Sequence, residues 1–251
     1  MRIALWQTHS PAGDVATALT DLSRALHAAA AMGAVMLVTP EVYLPGYNQD
    51  DLPDQALSRQ GDVLGGVADL CRQAGCGVTL GYAERAGGLY NAAITLDAQG
   101  EELAHYRKIQ LYGPREQTLY TPGDRYAIFN LHGLTCALLI CYDIEFAPHI
   151  AELAARGVQL ILCPTANMLP FTHVVRHTVP AMAANHGLTI AYANYCGSEG
   201  DLTYVGDSLI ADPYGEALVQ AGLGPALLVA DLPGLLDPAR LSTQSADYRK
   251  V

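Results

Sequence analysis

The first forty residues constrain the fold more than any other stretch. Residues 2–8, Arg-Ile-Ala-Leu-Trp-Gln-Thr, read as a buried strand. Val15, Leu19, Leu22, Leu26 and Ala29 then recur at steps of four, three, four and three, which lays one apolar stripe along a helix. Gly33 ends that helix, and residues 35–38, Val-Met-Leu-Val, form a second apolar strand. Strand, helix and strand in this order ask for a right-handed crossover, which places the two strands parallel.

Further along, Pro45-Gly46-Tyr47-Asn48 is a turn cluster, and the loop continues to Pro53. The pattern predicts a helix over 57–74, then strands over 77–84 and 89–96 around Gly87-Gly88. A third strand over 102–108 follows the Asp97-Ala98-Gln99-Gly100 turn. Three consecutive antiparallel strands inside an α/β pattern imply a mixed sheet. Residues 110–124 lack periodicity and are expected to form a long loop, a feature that tends to be functional. Strands are expected over 126–131 and 134–140 around His132-Gly133, and over 158–163, 188–193, 205–211 and 226–232. A helix begins near Phe146 and covers 150–156, and another covers 172–185. Residues 233–251 are polar and proline-containing, and read as a C-terminal arm after a domain spanning 1–232. With 251 residues and no internal repeat or linker, a single domain of two layered sheets with outer helices fits best.

Composition narrows the function classes. Apolar residues make up 51% and charged residues 16%, enough to bury a sizeable core. A net charge of −11 without a basic stripe sets nucleic acid aside as a partner. No apolar run nears the roughly 18 residues of a membrane span. Residues 1–6 read as a strand rather than a leader, so a cytoplasmic location is expected. The six cysteines (71, 76, 136, 141, 163 and 196) are scattered, and Cys71 and Cys76 have no second pair to complete a zinc site. Reduced thiols follow. His173 and His177 stand four apart on an expected helix, but no glutamate lies between them and no third ligand accompanies them. They are assigned to a surface helix, and no metal or cofactor is expected.

Three strand ends carry a reactive group. Glu41 follows the strand at Val38, Lys108 ends the strand from Glu102, and Cys141 ends the strand from Leu134. In open α/β sheets that edge is where ligands bind. A cysteine at a strand-to-helix turn has its sulfur lifted out of the sheet, and the helix N-terminus beside it favours thiolate. Each residue alone has an ordinary explanation: a small buried thiol, a solvated loop carboxylate, an exposed base beside Arg107. Together they supply the nucleophile, base and cation of acyl transfer. Cys163 and Cys196 also end strands, but no base signature accompanies them, and both are expected to pack or line a pocket.

The residues around these three form motifs. They read Thr39-Pro40-Glu41-Val42-Tyr43-Leu44-Pro45-Gly46-Tyr47, Tyr106-Arg107-Lys108-Ile109-Gln110-Leu111-Tyr112 and Leu138-Leu139-Ile140-Cys141-Tyr142-Asp143-Ile144-Glu145-Phe146. In sequence and order they resemble the three signatures of the nitrilase superfamily, the carbon–nitrogen hydrolases. The resemblance implies a four-layer α-β-β-α sandwich with two mixed sheets, assembled as a homodimer or larger homo-oligomer. It also implies Cys141 as nucleophile, Glu41 as general base and Lys108 as oxyanion stabiliser. Glu116, in Arg115-Glu116-Gln117 before Thr121-Pro122-Gly123, matches the place of a second glutamate. The chain departs from the family at Gln110, where histidine is frequent, and at Pro148, which is displaced relative to Phe146.

The cysteine motif, Pro164-Thr165-Ala166-Asn167-Met168 and Tyr192-Ala193-Asn194-Tyr195-Cys196-Gly197 together resemble aliphatic amidases of the 5-aminopentanamidase and R-stereoselective amidase kind. Tyr142-Asp143 after the nucleophile favours amide over nitrile by the same comparison. The resemblance implies a small aliphatic amide as substrate, including ω-amino amides. Tyr47, Tyr142, Glu145, Asn167, Met168 and Phe171 are the candidate substrate contacts. Glu145 either attracts a substrate ammonium or serves an internal ion pair. A second reading keeps the trio but takes an N-carbamoyl amino acid or a dicarboxylic monoamide, with Arg115 and Arg176 as the available carboxylate partners. A catalytically silent scaffold is the non-enzyme alternative, and the intact Glu41, Lys108 and Cys141 speak against it.

Overall fold

Along β1 (Arg2–Gln7) successive side chains part to opposite faces, Ile3 and Leu5 into one core and Ala4 into another. The structure is a computed structural model that describes residues 1–249. After α1 (Val15–Ala31), β2 (Met36–Val38) repeats the division, with Met36 and Val38 on the first side and Leu37 on the second. A sheet apolar on both faces must be covered on both. One cover is helical. Beyond the short α2 (Leu52–Gln55), α3 (Asp62–Ala74) joins α1, and together they bury Leu22, Leu26, Val67 and Cys71 against Leu37, Val78 and Leu80. The other cover is a second sheet.

The first sheet continues through β3 (Gly77–Arg85), β4 (Leu89–Leu96) and β5 (Glu102–Arg107). After α4 (Gly113–Leu119) the second sheet is built from β6 (Ala127–Leu131), β7 (Leu134–Leu138), β8 (Leu160–Pro164) and β9 (Thr189–Ala193). Its outer helices are α5 (Ala147–Ala155) and α6 (Val179–His186), which bury Ile150, Leu153, Val179 and Ala183. A small ribbon, β10 (Ser198–Glu199) with β11 (Leu202–Thr203), precedes β12 (Leu209–Ala211) and β13 (Ala217–Gln220). β14 (Ala226–Asp231) returns to the first sheet beside β1.

The strand orders are β14-β1-β2-β3-β4-β5 and β13-β12-β9-β8-β7-β6. Within them β1-β2-β3 and β7-β8-β9 are parallel and the remaining neighbours antiparallel. This is the four-layer α-β-β-α sandwich with two mixed sheets that the sequence led us to expect. At one edge the sheets are joined by backbone: Glu41 N–H donates to the Thr165 carbonyl (3.2 Å) and Cys196 N–H to that of Thr8 (2.9 Å). The loops after β1, β2, β8 and β9 therefore meet at a single place.

Several expectations need correction. The helix expected over 57–74 starts at Asp62, because Leu57 is held in a bridge to Glu84 beside β3. Residues 110–124 are not all loop. They contain α4, seven residues long and too short to give a periodic signal. The helix expected over 172–185 is divided into a wide turn over Val174–Thr178 and then α6, with Pro180 in the first turn of α6. Of the strand expected over 205–211 only Leu209–Ala211 is ladder. Val205 N–H is taken by the Asn167 carbonyl (2.9 Å) and Asp207 N–H by that of Gly222 (3.1 Å). The ribbon and β13 had no counterpart among the expected elements. Within the stretch expected to be a C-terminal arm lies α7 (Gln244–Asp247), and Asp237 N–H donates to the Tyr214 hydroxyl (2.7 Å). Positions 250 and 251 of that arm lie outside the described residues.

Candidate active site

Glu41 sits just past β2 because its loop can lie directly on β3 at Gly81. A Cβ at Gly81 would stand 2.7 Å from Val42 N and 2.9 Å from Glu41 Cα. Val42 has φ +45°, a left-handed conformation costly for a β-branched residue, and such strain gathers at functional sites. Lys108 follows β5 and is held through its backbone on both sides. Its N–H donates to the Asn91 carbonyl (2.8 Å), and its own carbonyl accepts from Gly123 N–H (2.8 Å). Here too a glycine is needed, since a Cβ at Gly123 would stand 2.8 Å from the Arg107 carbonyl carbon.

The Lys108 side chain joins two carboxylates. Nζ donates to Glu41 Oε1 at 2.6 Å and to Glu116 Oε1 at 2.8 Å. Glu116 rides on α4, and its Oε2 accepts from Tyr112 N–H (2.7 Å), capping the helix that carries it. Its Oε1 also accepts from the Tyr47 hydroxyl (2.7 Å). All three charged groups are buried. Burial opposes the Lys108 charge, but Glu116 and Glu41 beside it hold the ammonium protonated well above the ordinary lysine range. Glu41 is pushed up to about 7 by burial, with Lys108 opposing and the Glu116 charge adding.

Cys141 has φ +44° and opens a tight turn over Cys141–Glu145. Asp143 pins that turn: its Oδ2 accepts from Ile140 N–H (3.0 Å) and the Tyr106 hydroxyl (2.8 Å), and its Oδ1 from Gln110 N–H (2.8 Å). Burial drives the Cys141 thiol well above its ordinary value, the Glu41 charge adds to this, and Lys108 opposes it. Burial therefore works against the thiolate that a helix N-terminus would favour. The turn is a 3-10 segment and α5 begins only at Ala147, so the helix dipole does not decide the balance.

Cys141 lines a cavity of about 240 Å³. All six candidate contacts, Tyr47, Tyr142, Glu145, Asn167, Met168 and Phe171, line the same cavity, together with Tyr112, Ala166 and His173. His173 is exposed at this cavity rather than merely on a surface helix. The two arginines considered for a carboxylate-bearing substrate are elsewhere. Arg115 donates to the Tyr47 and Gln49 carbonyls (3.0 and 2.9 Å), and Arg176 faces Asp207 (3.3 Å). Cys163 and Cys196 are buried, as expected of packing residues. A larger groove of about 740 Å³ runs along β5 and β6 but contains none of the trio, and its Arg59, Arg107 and Arg125 pair with Glu102, Glu84 and Asp124.

Sequence reasoning missed three supporting residues. Asn91 Nδ2 donates to Glu41 Oε1 (2.6 Å). Asp143 was quoted in a motif without a role. Asn194 Oδ1 accepts from Asn167 N–H (2.9 Å) while its Nδ2 donates to the Asn167 carbonyl (3.1 Å), clasping one wall of the cavity. A polar residue within or just after an apolar strand was the available signal for Asn91 and Asn194.

The family model for carbon–nitrogen hydrolases matches residues 2–240. The chain belongs to the carbon–nitrogen hydrolase family. This carbon–nitrogen hydrolase is 39% identical over 237 residues to a Pseudomonas protegens protein called hydrolase in pqqF 5'region, covering 92% of this chain and 82% of that one. It is 34% identical over 255 residues to an (R)-stereoselective amidase of Pseudomonas sp, covering 100% and 90%. Among solved structures it is similar to a mutant of the amidase from Nesterenkonia sp. AN1 showing Michael addition of acrylamide at the active site cysteine. The identity there is 36%, with 93% of each chain covered and a TM-score of 0.88. A second mutant, of the Nesterenkonia AN1 amidase from the nitrilase superfamily, aligns with 36% identity over 93% of this chain and 92% of that one, TM-score 0.88. With these relatives the hydrolase is an amidase of the nitrilase superfamily.

Gly81→Ala is expected to lower kcat by about 10- to 100-fold, because the added methyl displaces Glu41 and misplacement on the ångström scale is that costly. Steady-state ammonia release by the folded variant checks it.

Proposed function

We propose that this amidase hydrolyses small aliphatic amides with Cys141 as nucleophile, Glu41 as general base and acid, and Lys108 as oxyanion donor positioned by Glu116. The observation that carries the reading is the buried Glu41–Lys108–Glu116 cluster, which the Tyr47 hydroxyl ties to the cavity that Cys141 lines. Glu41 takes the proton from Cys141 Sγ, and the thiolate attacks the amide carbonyl carbon. An ammonium has three N–H donors. Glu41 and Glu116 take two, and the third serves the developing oxyanion with the backbone N–H of Tyr142. Glu41 returns its proton to the leaving nitrogen, and ammonia departs from a thioester. A water deprotonated by the same carboxylate then releases the acid.

For the acyl group we propose an ω-amino amide. Tyr112 stands edge-on to Tyr142 and Phe171, with ring centroids 5.3 and 5.8 Å apart, so aromatic surface walls the cavity. Glu145 lines it without an ion-pair partner among the described residues. Aromatic faces and an unpaired carboxylate both favour a cation, and among the described residues no arginine lines the cavity to receive a substrate carboxylate. Ammonia release across amides, nitriles and N-carbamoyl amino acids tests the reaction class. Amides should be turned over, with 5-aminopentanamide about tenfold above pentanamide in kcat/KM, and Glu145→Gln should erase that preference. Equal rates for the two amides in the unmodified enzyme would remove the ω-amino assignment. Turnover confined to N-carbamoyl amino acids would replace the amide reading.

A further inference from the structure

We infer that Asn91 is a positioning residue that selects Oε2 of Glu41 as the proton-accepting oxygen, given the base role proposed above for Glu41. Asn91 lies in β4 and is buried. It touches both charged partners of the site by different atoms. Its carbonyl fixes the Lys108 backbone at 2.8 Å, and its Nδ2 donates to Glu41 Oε1 at 2.6 Å. Lys108 Nζ donates to the same oxygen, also at 2.6 Å.

Two strong donors on Oε1 have two consequences. The terminal torsion of a glutamate is broad, so a single contact would leave the carboxylate plane free to turn. Donors from β4 and from the end of β5 fix it. They also draw negative charge toward Oε1, so Oε2 keeps its lone pairs free. Oε2 is buried and has no hydrogen-bond partner among the described residues. It is thus the more basic oxygen and the one able to receive a proton. In the first step the Cys141 S–H bond breaks with its electron pair left on sulfur, and a new O–H bond forms on Oε2.

The amide orientation at Asn91 follows from chemistry. A flipped side chain would set its carbonyl oxygen against the Glu41 carboxylate, acceptor against acceptor. In the orientation present, Asn91 Oδ1 is itself buried without a partner among the described residues. An unsatisfied buried acceptor carries the full desolvation penalty of the group. A residue serving packing alone would not need that polar atom, whereas one whose task is to donate through Nδ2 carries it unavoidably.

The test is Asn91→Ala in the full chain, with kcat and KM for pentanamide followed against pH. The rate of Cys141 alkylation by iodoacetamide is followed in parallel, since it needs no substrate. Losing a donor that stabilises the ionised carboxylate raises the pKa of Glu41, so the acid limb of both profiles should move up by about one pH unit. At neutral pH kcat should fall about 10- to 100-fold, while KM stays within about twofold because Asn91 does not line the cavity. Asn91→Ser keeps a donor and should return the limb toward its original position. It also carries the test if the alanine variant does not fold, its limb then lying between the original position and one unit higher. An unmoved acid limb in a folded variant, or a loss confined to KM, overturns the assignment. Glu41→Gln separates the two levels. If it is inactive while the Asn91 limb is unmoved, only the role of Asn91 falls. If it is fully active, the base assignment falls with it.

Discussion

Cys141→Ala is expected to reduce amide turnover by about 10⁴-fold or more while leaving the thermal midpoint within a few degrees of the original. Removing the nucleophile of a covalent mechanism ends the covalent route, and what remains is the modest acceleration from oxyanion donors and binding. Stability should barely change. Cys141 is the one cysteine of the six that is not fully buried, and alanine at φ +44° is no more strained than cysteine. Thiol labelling gives an independent readout. Cys71, Cys76, Cys136, Cys163 and Cys196 are buried away from reagent, whereas Cys141 lines the cavity, so these five should alkylate slowly. Cys141 should label faster, and its rate should fall as pH drops through about 7, where Glu41 gains a proton and can no longer accept the thiol's. A Cys141→Ala protein that still releases ammonia at the original rate refutes the mechanism, and so does equal labelling of the buried thiols.

The sandwich was legible because each parallel strand is a short apolar run followed at once by polar loop residues. Val38, Leu138 and Leu162 announce the strands, and Glu41, Cys141 and Thr165 announce the edge where the loops collect. The cavity wall was legible for the same reason, since Tyr142, Asn167 and Met168 lie directly past strand ends. What failed to show was structure set by tertiary partners. α4 has one buried side chain, Glu116, and forms around its contact with Lys108 rather than around an apolar stripe. The environment of the Cys141 thiol was likewise hidden, because a local dipole argument omits burial, and burial pushes this thiol up. Asn91 was hidden inside an apolar strand, where a lone polar residue has no meaning until its partner, Glu41, is known to lie across the site.

Lys108→Met should be as damaging as loss of the base itself, and it should also destabilise the fold. The buried cluster places the Lys108 ammonium between the Glu41 and Glu116 carboxyl groups, at 2.6 and 2.8 Å. Without the ammonium, two buried carboxyl groups face each other and cannot both stay ionised. Burial already pushes Glu41 up to about 7 and Lys108 is what opposes that rise, so without the ammonium Glu41 keeps its proton at neutral pH and the base is lost together with the oxyanion donor. Removing one oxyanion donor alone lowers the rate about 10²–10³-fold. Loss of the base adds to this, so turnover should fall further, and Glu41→Gln combined with Lys108→Met should be little worse than either alone. Breaking a buried ion pair by deleting one partner costs about 3–5 kcal/mol, which should appear as a clear drop in the thermal midpoint. Adding Glu116→Gln to Lys108→Met removes one of the stranded carboxylates, so the midpoint should recover in part while turnover does not. Calorimetry and ammonia release on the single and double variants measure the two effects separately. If Lys108→Met keeps most of its activity, the ammonium has no part in the chemistry and the cluster serves the fold alone.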